Sequence, residues 1–261
     1  MIAADNIRIT NPVVDAALSD LDPRPIQVLA EKCESAGAEA IDINSGPLNR
    51  DPERKMAFLV EVIQDVTGLP ILLDTANPSA LEAGLRVCRN RVIVNGFSLE
   101  PAKLASILPL AKKYEAHIIG YLLYPDSHVP SDGAERLGVA IELFDKYIQA
   151  GLDKERLIID PVISPLMWQD GNAQDMEILS VIRMLPDVLG FDVRTIAGLS
   201  NLTSGQGDRG KKILMEKIYL PMLMGSGLSI ALMDVTHVET IQVARACRSL
   251  MSPGIFSWEE I

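Results

Sequence analysis

Several short apolar runs in this sequence end in aspartate, asparagine or glycine, and these ends hold the residues best suited to chemistry. They read Asp42-Ile43-Asn44-Ser45-Gly46-Pro47, Asp74-Thr75-Ala76-Asn77, Asn95-Gly96, Asp160-Pro161, Gly198-Leu199-Ser200-Asn201 and Asp234. They are far apart in the chain, so separate elements must bring them together. No His, Cys or Lys stands directly at such an end, which argues against a zinc site, a Schiff-base lysine and a thiol nucleophile. Carboxylates and amides suit a flat, nitrogen-rich ring. A 2-amino-4-oxo-pyrimidine edge offers two adjacent N–H donors, and one ionised carboxylate accepts both through charge-assisted bonds. An Asn side chain donates and accepts, so it can face a ring nitrogen and its neighbour together. The ligand class is therefore a pterin or a purine. Asp or Asn after a strand is also a common helix cap or turn former. Ser, Thr or Gly would cap equally well, so the repeated choice of Asp and Asn favours a ligand.

The elements that must position these residues alternate along the chain. Strand-like runs cover 2–4, 40–43, 71–73, 92–94, 118–122, 157–159, 195–197 and 229–233. Between them lie helix-like stretches at 25–36, 52–66, 79–89, 102–114, 134–150, 173–185, 211–224 and 237–251. Pro52, Pro78 and Pro101 fall near helix starts, where a missing N–H costs little. Gly37, Gly68 and Gly151 follow helices, as C-caps do. Eight strand-then-helix units predict a single (β/α)8 TIM barrel over residues 1–261, with its chemistry at the C-terminal ends of the strands. A doubly wound sheet is the rival, but no GxGxxG follows the first strand.

The 261 residues carry 24 basic and 35 acidic side chains, a formal net charge of −11. That balance argues against nucleic acid or an anionic membrane surface as partner. Hydrophobic residues make up 48% and charged residues 23%, as in globular enzymes. Cys33, Cys88 and Cys247 are scattered, so free thiols and no metal are expected. The start shows no signal-peptide pattern, no apolar run reaches transmembrane length, and the expected compartment is the cytoplasm.

Asp42-x-Asn44-x-Gly46, Leu73-Asp74-Thr75-x-Asn77, Asn95, Asp160-Pro161 and Gly198-Leu199-Ser200-Asn201 together resemble the pterin-binding methyltransferases. The likeness is greatest to the methyltetrahydrofolate:corrinoid protein methyltransferases, and the folate domain of cobalamin-dependent methionine synthase is a more distant relative. It covers nearly the whole chain, and the Gly-Leu-Ser-Asn block is its most specific element. The resemblance implies a homodimeric (β/α)8 barrel that binds tetrahydrofolate or 5-methyltetrahydrofolate at its mouth. It implies methyl transfer between N5 of the folate and the cobalt of a corrinoid protein docked there. Carried over by position, Asp74, Asn95 and Asp160 hydrogen-bond the pterin. Asn201 sits beside N5, Gly198 and Ser200 line the ring, and Arg209 lies near the p-aminobenzoyl-glutamate side. Asp42 and Asn44 are further candidates. The sequence departs from the family at the first strand, where Asp5-Asn6-Ile7-Arg8 replaces a Gly-Glu-Arg-x-Asn opening.

Asp126-Ser127-His128 approaches the Asp-x-His-x-x-Gly pattern of corrinoid-binding domains, but Ser131 stands in the glycine position. It reads as a surface loop, so the corrinoid is expected on a separate protein. Three other readings stay open. Dihydropteroate synthase shares the barrel, yet its Ser-Arg-Lys and Arg-x-His runs are replaced by Ser200-Asn201-Leu202 and Asp234-Val235-Thr236. A barrel that only stores folate would show the same pocket. Gly205-Gln206-Gly207-Asp208-Arg209-Gly210 could cradle a phosphate at a helix start, and otherwise reads as a loop.

Overall fold

The computed structural model describes residues 1–46, 48 and 50–258. Eight parallel strands close on each other in sequence order, β1 pairing with β8. They are β1 (Ile2–Arg8), β2 (Ala40–Asn44), β3 (Ile71–Asp74), β4 (Val92–Phe97), β5 (His117–Tyr121), β6 (Leu157–Asp160), β7 (Arg194–Gly198) and β8 (Ile230–Met233). This is the (β/α)8 barrel that the alternation predicts.

The outer ring is formed by α1 (Pro12–Asp20), α2 (Pro23–Ala36), α3 (Pro52–Gln64), α4 (Pro78–Val87), α5 (Pro101–Lys113), α6 (Gly133–Gln149), α7 (Gly171–Leu189), α8 (Arg209–Gly225) and α9 (Val238–Met251). Five of them begin on a proline. Gly37 caps α2 in the left-handed region, and Gly151 follows α6 at φ 74°. Gly68 caps nothing, because α3 ends earlier, at Asp65. The sequence reading lacks α1, whose entry is fixed by the Asn11 side chain accepting from Val13 N and whose exit is a left-handed Leu21. Among the described residues no helix is long and apolar enough to cross a membrane. In the C-terminal tail Ile255 and Trp258 are exposed, and Trp258 packs edge to face on Phe256.

Strand side chains alternate between the barrel interior and the helix ring. Ala3, Ala40, Leu72, Ile93, Ile119, Ile158, Ile196 and Ile230, one per strand, form a buried plug across the barrel axis. Larger apolar residues of opposite parity, such as Ile43, Leu73, Val94 and Ile159, pack outward in the main core. Two residues beyond each plug position, the interior side chains are Asp5, Asp42, Asp74, Asn95, Tyr121, Asp160, Gly198 and Leu232. The plug forms the floor and these eight form the walls of the mouth.

Candidate functional site

Those eight side chains, with Arg8, Thr10, Asn44, Ser200 and Asn201, line a cavity of about 360 Å³. Of the nine candidates from the sequence, eight reach this one wall: Asp74, Asn95, Asp160, Gly198, Ser200 and Asn201, with the two lesser ones, Asp42 and Asn44. Arg209 does not. It opens α8 on the surface, with Nη2 3.3 Å from His237 Nε2.

The wall is wired to itself. Tyr121 Oη donates to Asn95 Oδ1 at 2.5 Å, and Asn95 Nδ2 donates to Asp42 Oδ1 at 3.0 Å. Asn44 Nδ2 donates to Asp74 Oδ2 at 2.5 Å while its Oδ1 accepts from Gly46 N. Ser200 Oγ donates to Asp5 Oδ2 at 3.2 Å, and Arg8 lies 3.6 Å from the same oxygen. Asp160 Oδ1 accepts from Val162 N at 2.8 Å, and its other oxygen has no partner among the described residues. These bonds fix the direction in which each free lone pair or N–H points, the preorganisation that a rigid ring ligand needs.

Four carboxyls crowd one cavity, and among the described residues its only lining cation is Arg8. Burial pushes Asp160 up to about 7 and Asp74 up to about 6. Asp42 is held well above the carboxylate range by burial and by the Asp74 charge, and Asp5 is raised mainly by burial. Asp5 Oδ1 is buried without a partner among the described residues. Such a wall is chemically suited to N–H donors, which pair with carboxylates and relieve their desolvation.

Asn201 is the exception in this network. It ends a short 3-10 turn after β7, and its side-chain amide bonds to no described residue. The following helix is capped by Asp208, whose carboxylate accepts from Lys211 N, so Asn201 is not a helix cap. Its amide lies over Gly198, where an added Cβ would meet Nδ2 at 3.4 Å. A free amide with both a donor and an acceptor thus stands at the edge of the carboxylate wall.

Asp5, Tyr121 and Leu232 line the cavity without having been candidates. The signal was available in the two-residue step from each plug position. Asp234 stands outside the wall, occupied by Asn6 Nδ2 at 2.6 Å and by Thr236. His128 sits on an exposed loop after β5, paired with Asp126 at 3.0 Å.

Residues 13–211 match the pterin binding enzyme family. The chain belongs to that family. Among curated proteins, it is 23% identical over 254 residues to a methylcorrinoid:tetrahydrofolate methyltransferase of Eubacterium limosum, covering 96% of this chain and 91% of that one. It is 21% identical to the methionine synthase of Mycobacterium tuberculosis over 77% of this chain, which spans only 17% of that longer protein. Among solved structures, the dihydropteroate synthase from Xanthomonas albilineans in complex with 7,8-dihydropteroate superposes with a TM-score of 0.69 at 18% identity, over 97% of this chain and 94% of the other. The Yersinia pestis enzyme with a pterine-sulfa conjugate gives 0.68 at 15%, over 95% and 92%. At those identities the structural likeness concerns the fold of this pterin-binding barrel.

Proposed function

We propose that the protein moves a methyl group between N5 of a tetrahydrofolate and the cobalt of a corrinoid carried by a separate protein. The free Asn201 amide beside the carboxylate wall carries this reading. In it, the open oxygen of Asp160 accepts the 2-amino and ring N–H donors of the pterin. Asp74 and Asn95, held by Asn44 and Tyr121, take the opposite ring edge, and Gly198 and Ser200 lie along the ring. Asn201 then reaches N5. A tertiary amine leaves well only when N5 carries positive charge. The Asn201 carbonyl accepts a hydrogen bond from protonated N5 and stabilises that charge most in the transition state. The docked corrinoid supplies the cobalt that receives or gives the methyl group. Arg209 serves the folate tail if the tail leaves the cavity toward α8. The protein works in this reading as a homodimer, its partner docking on the barrel mouth.

The lining set favours this reading over a dihydropteroate synthase. That reaction needs cations for pyrophosphate, and among the described residues Arg8 is the only cation in the wall. Mixed anaerobically with reduced cobalamin and methyltetrahydrofolate, the protein is expected to form methylcobalamin, followed by its visible spectrum. Folate binding with no methylcobalamin would leave only a storage role.

A further inference from the structure

The strands that wall the cavity carry a second polar layer at their opposite ends. On β4, β5, β6 and β7 the plug isoleucines Ile93, Ile119, Ile158 and Ile196 are preceded two positions earlier by Arg91, His117, Arg156 and Arg194. Alternation places His117 and Arg194, with Arg91 just before β4, on the inner side of the barrel at its N-terminal end, and Arg156 closes the 3-10 turn Lys154–Arg156 that leads into β6. The first three meet there: Arg91 Nη2 is 2.9 Å from His117 Nε2, and Arg194 Nη2 is 2.8 Å from His117 Nδ1. Arg156 touches the Glu115 carbonyl and lies 3.7 Å from its carboxylate. Among the described residues neither Arg91 nor Arg194 is ion-paired.

This layer has more donors than acceptors. A neutral imidazole has one N–H and one acceptor nitrogen. His117 also hydrogen-bonds to the Arg156 backbone. One guanidinium can therefore donate to the ring, while the other faces a ring N–H. Protonating the ring would remove the remaining acceptor, and burial together with the surrounding arginines lowers the His117 pKa to about 4. Of the three guanidiniums only that of Arg156 lies near a carboxylate among the described residues, in a chain of net charge −11, so the cluster is not a by-product of a basic sequence. An oxyanion with three or more acceptor oxygens would take the N–H groups that the imidazole cannot, and would offset the mutual repulsion. A monocarboxylate offers only two oxygens to three forks. A separate cavity of about 310 Å³ on the α5 and α6 side is lined by Lys112 and Arg156 together with Glu115 and Asp153.

We infer that the N-terminal end of the barrel is a binding site for a multivalent oxyanion of the phosphate class, seated by Arg91, Arg194 and Arg156 around His117. It lies across the apolar plug from the carboxylate-walled cavity and does not depend on the folate reading.

The test is a titration of inorganic phosphate into the full chain at constant ionic strength, with chloride as the balancing ion. The imidazole nitrogens are followed by NMR. The site requires a saturable shift at His117, with His128 unmoved. Arg194→Met should weaken binding about tenfold or more, and the exposed-site variant Arg91→Met should weaken it too. A nucleoside monophosphate that displaces phosphate would assign a terminal phosphate as the ligand, and one that fails to would assign the free anion. A His117 shift that is linear in phosphate, or that chloride reproduces, overturns the site. So does phosphate affinity unchanged in folded Arg91→Met. If Arg194→Met fails to fold, the wild-type titration and Arg91→Met decide the matter.

Discussion

Asp160 shows how one side chain links stability to binding. Its carboxyl stands at about 7 in the fold against about 3.9 in an unfolded chain. The folded state therefore binds the extra proton between those values. Its contribution to stability is full below about pH 4 and is lost as pH rises toward 7. Asp160→Asn keeps an oxygen for Val162 N and removes the buried charge. At pH 8 the variant should be more stable than the parent by about 1–3 kcal/mol, read as a raised melting temperature. The same change sets an amide N–H against the pterin donors and should weaken pterin binding about tenfold or more by calorimetry. A variant with unchanged affinity would remove Asp160 from the site. Asp74, Asn95, Asp160 and Asn201 were legible as cavity-lining residues because each ends or closely follows an apolar run with a carboxylate or amide side chain. Tyr121 and Asp5 were not, because a phenol or a carboxylate inside a strand looks like core or loop until its parity is known. Arg209 was assigned by resemblance alone, and the helix start that carries it turns away from the wall.

At the scale of elements, the barrel was legible because parallel strands buried on both faces leave continuous apolar runs, and helices leave longer amphipathic ones. The missing piece was α1. Its nine residues lie between Asn11 and a left-handed Leu21 and run almost directly into α2, so two short helices read as one loop and one helix. Glycines in the elements have different jobs. At Gly96, in β4, a Cβ would sit 2.3 Å from the Ile119 carbonyl oxygen, so β4 and β5 approach only because a hydrogen is there. At Gly138, exposed within α6, a Cβ meets nothing within 4 Å. Gly96→Ala should therefore lower the melting temperature by several degrees and weaken pterin binding at the adjoining Asn95. Gly138→Ala should raise stability by about 0.5–1 kcal/mol. Equal melting temperatures for the two variants would contradict the packing described for β4.

Across the whole molecule, the barrel is three layers on one axis: an acidic mouth, an apolar plug and a cationic base. The plug keeps the two charged ends apart and gives the mouth a dry floor, which is what raises its carboxyls. In the proposed reading the mouth recognises N–H donors through fixed acceptors, and Asn201 adds an amide that bonds to no other described residue. The central claim is that this amide acts on N5 during methyl transfer rather than shaping the turn after β7. The measurement that tests it most directly compares the parent with Asn201→Ala in anaerobic transfer from methyltetrahydrofolate to reduced cobalamin. Folate affinity and melting temperature are taken on the same preparations. The expected result is an unchanged melting temperature, modestly weaker folate binding and a transfer rate lower by roughly 10²–10³. A normal rate per folded protein with a lowered melting temperature would contradict it.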